Sequence, residues 1–216
     1  MFEGDPDERS QEEDMSKRGE ATKTRIVSAA WDLFYEQGYE NTTVDDIVEH
    51  SGTSKGSFYH YFDSKDALLG SLAYLFDRRY GELEPVIDPE ADAFETLLML
   101  NRELFGLIDS KIDQNLLARL YATQLMSKGE KSLLDNDRLY YRLLRRIVSE
   151  GQRRGHLTDA VSVNDAVRLY AMCERALICE WCLCGFTYSL KAYAEQTLPL
   201  LLSGLRKKTM EETARG

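Results

Sequence analysis

The sequence predicts an all-α fold in two parts. Apolar residues recur at helical spacing nearly throughout from Thr22 onward, strand-like alternation is nowhere sustained, and 4 Pro and 14 Gly in 216 residues are too few for a sandwich or barrel with many turns. A hydrophobic fraction of 43%, with 12 Tyr, 8 Phe and 2 Trp, supplies a core and excludes wholesale disorder. No window reaches the roughly 18 apolar residues that span a bilayer. Residues 1–14 are acidic where a secretory leader would be basic and then apolar, so a cytoplasmic protein is expected.

In chain order, residues 1–14 come first, with seven acids and one base, −6 of the formal net charge of −10. With almost no apolar residues, 1–16 reads as a disordered acidic leader. Lys17, Arg18, Lys23 and Arg25 follow, with Glu20 as their only acid. Ile26, Ala30, Leu33 and Phe34 at i, i+4, i+7 and i+8 predict a first helix over about Ala21 to Glu36, ended by Gly38. Thr43 is the expected N-cap of a second helix, with Asp45 and Asp46 in its first turn and Val44, Ile47 and Val48 as its buried stripe. That helix stops at Ser51-Gly52, and Thr53 or Ser54 caps a third, short helix through Phe62. Two short helices joined by a glycine turn, with another packed behind, describe a helix-turn-helix domain over residues 17–65.

The third helix can be phased residue by residue. At about 100° per residue, Phe58 and Phe62 share an inner face, while Gly56, Ser57, Tyr59 and His60 point outward. A glycine for close approach, a small hydroxyl, a phenol and an imidazole suit a DNA major groove. Lys55 and Lys65 stand at its two ends, placed to reach phosphates.

The stretches Gly38-Tyr39, Thr42-Thr43-Val44-Asp45-Asp46-Ile47, Thr53-Ser54-Lys55-Gly56-Ser57-Phe58-Tyr59-His60-Tyr61-Phe62 and Ser64-Lys65-Asp66-Ala67-Leu68 closely resemble the DNA-binding domain of the TetR/AcrR family of bacterial transcriptional regulators. The resemblance covers about residues 22 to 70. It implies a homodimer whose N-terminal domains bind a palindromic double-stranded DNA operator and whose C-terminal domain dimerises and holds a small-molecule inducer. By the same resemblance Thr43 and Lys65 would contact phosphates, and Thr53, Lys55, Gly56, Ser57, Tyr59, His60 and Tyr61 would form the recognition surface. The capping Ser54 belongs to the same DNA-facing set.

Charge limits how such a domain would bind. From Ser16 to Asp66 there are six bases and nine acids, net −3, so a large nonspecific grip on phosphates is not expected. Affinity would rest on Lys17, Arg18, Lys23, Arg25, Lys55, Lys65 and backbone N–H groups at two helix starts, with the acidic leader reducing stray binding.

Residues 66–208 read as a helical ligand-binding and dimerisation domain, and 209–216 as a flexible tail. Helices are expected at about Lys65 to Leu83, Glu90 to Ser110, Asp113 to Ser127, Leu133 to Arg154, Val163 to Cys184 and Leu190 to Leu205. Leu190, Tyr193, Ala194, Thr197, Leu198, Leu201 and Leu205 make a stripe too apolar for a solvent-facing terminal helix, and it is expected to meet a partner chain. Together with the helix from Val163 it would give each protomer two helices of an intermolecular bundle. Phe94, Met99, Phe105, Tyr121, Met126, Tyr140, Tyr141 and Met172 are candidates to line an inducer pocket, although such spacing is more often plain core. Arg138, Arg142, Arg145 and Arg146 share one face that would either meet an anion or be solvated beside acids.

Cys173, Cys179, Cys182 and Cys184 fall on one helix in two pairs that point apart, so they cannot close a tetrahedral metal site, and buried packing is the better account. A thiol redox or metal sensor on the same scaffold is the nearest rival reading. Gly52-Thr53-Ser54-Lys55-Gly56 matches a G-x-S-x-G pattern formally, but a helix precedes it where a hydrolase needs a strand. A Ser54 hydrolase and a helical interaction module without DNA binding are the other rivals. No cofactor, metal or catalytic residue is expected, and a ligand-released repressor is the leading reading.

Overall fold

Left-handed glycines and side-chain caps divide the chain into helices. The computed structural model describes residues 6–126 and 132–207, and these form two compact units, one ending at Ser71 and the other starting at Leu72. The expected tail, residues 209–216, lies outside the described residues. So do residues 1–5 of the leader.

In the first unit α1 (Pro6–Gln37) buries Ile26, Ala30, Trp31, Leu33 and Phe34 and packs on α2 (Val44–Ser51) and α3 (Lys55–Tyr61). It starts well before Ala21, within the stretch read as leader. Proline suits the first helical position. Between α2 and α3, Gly52 adopts φ 61° and ψ 35° and its N–H reaches back to the Glu49 carbonyl at 3.1 Å. A side chain is strained there, which is why the turn is built on glycine. Trp31 Nε1 donates to Ser71 Oγ at 2.9 Å and secures the end of the unit.

The helix expected from Lys65 is broken. Asp66–Ser71 forms a 3-10 turn, and α4 (Leu72–Leu83) follows it. Gly70 weakens a regular helix there, and the Ser71 hydroxyl bonds the Leu68 carbonyl at 2.5 Å.

The second unit continues with α5 (Ala93–Lys111), α6 (Gln114–Met126), α7 (Leu139–Arg154), α8 (Val163–Leu183) and α9 (Leu190–Leu201). Asp92 caps α5 by accepting from the N–H groups of Phe94 and Glu95, so that helix begins three residues later than its periodicity suggests. Likewise α7 starts at Leu139, because the turn-forming Asp135-Asn136-Asp137 separates it from the short 3-10 turn at Ser132–Leu134. Beyond α9 a further 3-10 turn, Ser203–Leu205, replaces the expected last helical turn.

Helix α9 packs along α5. Its start is held by the Asp109 carboxylate at the end of α5, which accepts from the Ser189 hydroxyl at 2.7 Å and from the N–H groups of Leu190 (3.1 Å) and Lys191 (3.0 Å). Leu190, Ala194 and Leu198 are consequently buried inside their own chain, and Leu205, in the 3-10 turn beyond α9, is buried as well. These four correct the expected interface stripe, because helical phase alone does not say which apolar face meets the chain's own α5. Among the described residues no helix is long and apolar enough to cross a membrane.

Close approach between helices is tightest at Gly151 of α7, where a Cβ would stand 2.5 Å from Ala93 Cβ and 2.9 Å from Leu157 Cδ1. Overpacking of this kind costs about 1–3 kcal/mol, so Gly151→Ala is expected to lower the urea midpoint with little change in slope. An unchanged midpoint would show that α5 and α7 yield at this point.

Candidate nucleic-acid interface and inner cavity

Local hydrogen bonds fix the recognition element. Thr43 caps α2: its Oγ1 accepts from Asp46 N–H at 3.2 Å, while the Asp46 carboxylate accepts from Thr43 N–H and from its hydroxyl, both at 2.8 Å. The backbone N–H of Thr43 is the main cause that holds the Asp46 carboxyl below its ordinary range. Thr53 shares a hydroxyl hydrogen bond of 2.7 Å with Ser51. Ser54 caps α3 by accepting from Ser57 N–H at 3.0 Å, and the two serine hydroxyls meet at 2.9 Å.

With Phe58 fully buried, α3 turns Lys55, Gly56, Tyr59 and His60 outward. Tyr59 is 54% exposed, its ring edge braced on Phe58 at 5.3 Å. Lys55 pairs with Asp45 of α2 at 2.7 Å, and both side chains are well exposed, so the pair is weak and easily exchanged for a phosphate. Tyr61 is half-buried, in contact with the His60 ring and with its hydroxyl close to Gly19 of α1. Lys65 is turned inward: its Nζ donates to the carbonyls of Tyr39 (2.6 Å) and Thr42 (2.8 Å) and sits 4.1 Å above the Tyr39 ring. It braces the α1–α2 turn instead of pointing at a phosphate.

The second unit holds a partly open cavity of about 40 Å³. Phe76, Leu104, Ala171 and Ile178 give it an apolar wall, and Tyr80, Tyr121 and Tyr140 a phenolic one. Arg138, Glu174 and Arg175 complete the lining beside Leu133. Glu174 is only 3% exposed. Its carboxylate accepts from Asn101 Nδ2 at 2.9 Å and from the Tyr140 hydroxyl at 2.5 Å. Tyr170 lies beside it and donates to the Leu97 carbonyl at 2.9 Å. Burial raises the Glu174 pKa against these hydrogen bonds, and burial lifts Tyr80, Tyr121 and Tyr140 well above the usual phenol value, so all three stay neutral donors. Arg138 clamps Asp77 of α4 through Nη2 at 2.8 Å and Nε at 3.1 Å and donates to the Ala73 carbonyl at 2.9 Å.

Comparison with known proteins bears on both sites. Residues 26–72 match the family described as bacterial regulatory proteins, tetR family. The fatty acid metabolism regulator protein of Bacillus subtilis is 25% identical over 188 residues, 85% of this chain and 95% of that one. The transcriptional repressor KstR2 of Rhodococcus jostii is 25% identical over 193 residues, 85% of this chain and 90% of the other. Among solved structures, the regulator FadR of Bacillus subtilis with stearoyl-CoA shares 25% identity at a TM-score of 0.60, covering 85% of this chain and all of that one. Residues 26–72 thus carry the DNA-binding domain of the TetR family.

The chain places its expected residues unevenly. Lys55, Gly56, Tyr59 and His60 form the outward face, while Thr43, Thr53, Ser54 and Ser57 serve first as caps and turn hydroxyls. Of the expected pocket residues, Tyr121 and Tyr140 line the cavity. Phe94 and Phe105 are closed core, Met99 is half-buried away from the lining, and Tyr141 stands behind the wall, its hydroxyl donating to the Leu133 carbonyl at 3.0 Å. Met126 and Met172 face solvent, 83% and 48% exposed. Arg142, Arg145 and Arg146 are bound to the Asp137 carbonyl, the Asn136 carbonyl and Glu84 on the surface, so of these four arginines Arg138 alone lines the cavity.

The cysteines differ from expectation too: Cys173, Cys179 and Cys182 are only half-buried and Cys184 is exposed. All four thiols are pushed up in pKa, the first three by burial and Cys184 by its hydrogen bond to Glu180, which disfavours the reactive thiolate. Among the described residues no group of three potential ligands could hold a metal.

Sequence reading missed Glu174, Asn101, Tyr80 and Arg175. A usable signal existed for Glu174, since Val167, Tyr170, Ala171, Ile178 and Trp181 put it in the middle of the buried stripe of α8. An acid whose pKa is raised by folding contributes stability below its ordinary value near 4.5 and loses it as pH rises through the folded value. Glu174→Gln should remove that dependence, so the urea midpoint of the parent should fall relative to the variant as pH rises above 4.5. Parallel pH profiles would show that Glu174 titrates normally.

Proposed function

We propose that the chain is a homodimeric repressor, acting in the cytoplasm, that holds an operator palindrome with two α3 helices and releases it when a small molecule with an apolar body fills the C-terminal cavity. The carrying observation is the α2-turn-α3 element, capped at both helix starts, with Phe58 buried and Tyr59 and His60 presented together. Docked in successive major grooves about 34 to 36 Å apart, these side chains would read base edges. Lys55 would exchange Asp45 for a phosphate.

A second copy is the natural cover for the exposed apolar residues of the last two helices. Met172, Ala176 and Leu183 stand on one exposed face of α8 with half-buried Cys179 between them. Tyr193, Leu200 and Leu201 are exposed on α9. Tyr193 and Leu201 therefore stay in the proposed interface with Thr197, and the α8 face takes the place of the four residues buried within the chain.

Release would work through Arg138. It lines the cavity and ties the start of α7 to α4, and α4 follows directly on the last residue of the DNA-binding unit. A ligand pressing on this wall would favour dimers whose recognition helices no longer match the operator, which is a population shift. The stearoyl-CoA held by the Bacillus subtilis structure supports a ligand with an apolar body. We assign no catalysis, because the Ser54 hydroxyl is occupied as the cap of α3.

Selection from randomised duplexes should return an inverted repeat for the intact protein, and the Tyr59→Ala, His60→Ala pair should lose at least about tenfold in affinity for it, as expected when base contacts are removed. Equal binding of all duplexes would sink the operator reading. In gel filtration, Ala176→Arg should convert the dimer to a monomer while keeping its helical circular dichroism. A dimer that persists would place the interface elsewhere.

A further inference from the structure

The cavity carries one unanswered polar group. Tyr80 is 1% exposed, and its hydroxyl, in the cavity wall, has no hydrogen-bond partner among the described residues. An orphan buried hydroxyl is destabilising, so its persistence points to something that binds it. The same wall presents the Arg175 guanidinium, half-buried, with one hydrogen bond, to the Tyr141 hydroxyl at 3.2 Å. Among the described residues no carboxylate stands within ion-pair distance of it. Arg138, by contrast, is neutralised by Asp77.

We infer that the ligand of this cavity is a small apolar carboxylic acid, its carboxylate accepting from the Tyr80 hydroxyl and the Arg175 guanidinium and its hydrocarbon lying against Phe76, Leu104 and Ile178. The inference rests on the cavity being the effector site and names the chemistry it selects. Arg175 can only donate and the Tyr80 hydroxyl is free to donate, so an acceptor head serves both, and with no ion-pair partner beside it Arg175 favours a head that is negatively charged. Glu174 does not compete for these donors: its carboxyl is already served by Asn101 and Tyr140, and burial pushes it toward the neutral form, which weakens repulsion of a second carboxylate. Size points the same way. A cavity of about 40 Å³ holds about three water-sized groups, which suits the head of a short or single-ring acid, with small movements of the apolar wall for the rest.

Calorimetric titration of the intact protein with butyrate, octanoate, benzoate and phenylacetate, each beside its amide, and with octanoyl-CoA tests the assignment. At least one acid should bind about tenfold or more tightly than its amide. Tyr80→Phe, which keeps the ring, and Arg175→Gln should each cut acid affinity by about tenfold, as expected for hydrogen bonds to a charged group. Arg175→Lys should recover part of it. Acids that bind no better than amides, acid binding untouched by Tyr80→Phe, or binding of octanoyl-CoA alone would overturn the carboxylate assignment, as would no binding by any acid. Operator release read in parallel separates the two claims: release by octanoyl-CoA without acid binding removes this inference and leaves the repressor standing, whereas acid binding without any operator binding does the reverse.

Discussion

The carboxyl of Glu174 lies almost out of water among α5, α7 and α8, and the arrangement of the second unit follows from the need to satisfy it. A buried carboxyl without partners costs several kcal/mol. Asn101 from α5 and Tyr140 from α7 therefore have to remain within reach of α8, and three helices are held in fixed relation by one side chain. The phenols gathered round it bring apolar rings and polar ends together, leaving space that plain aliphatic packing would have closed. The cavity is thus a by-product of a polar centre, and this gives it both hydrogen-bond donors and a hydrocarbon wall.

The first unit depends on short-range chemistry instead. Three capping or turn interactions, at Thr43, Gly52 and Ser54, place α3 relative to α2, and Phe58 locks its inner side. Lys65 and Asp66 then brace the turn before α2 from across the unit, Lys65 through two carbonyls and Asp66 through the Tyr39 hydroxyl. A seven-residue helix has little stability of its own. Its orientation is bought by these contacts, so the outward residues can be chosen for what they touch and not for how they pack. With net −3 between Ser16 and Asp66, a fitted surface matters more than total charge.

What could be read from the sequence follows the range of the interactions. Caps, glycine turns and the Phe58–Phe62 phase are local, so α2, the turn, α3 and the outward Tyr59 and His60 were legible. Starts of α5 and α7 were misplaced by a few residues because Asp92 and the Asp135–Asp137 turn outcompete apolar periodicity. The cavity was mostly illegible. Periodicity marks Phe94, Phe105, Met126 and Met172 as apolar positions, yet only the tertiary arrangement decides that two are core and two are surface. The same holds for α9, where Leu190 and Leu198 meet α5 while Tyr193 looks outward on the same helix. Lys65, read as a phosphate contact, is drawn inward by carbonyls 23 and 26 residues away.

The Asp109 cap has a mechanical meaning. A helix start normally frays, because its first N–H groups have no partners within the helix. Here the amides of Leu190 and Lys191 are bonded to a carboxylate on α5. The opening of α9 is therefore coupled to α5, one of the helices that also lines the cavity through Leu104. Strain at the cavity would reach the outer face of α9 as a displacement of an intact rod, with its first-turn amides protected from solvent exchange throughout.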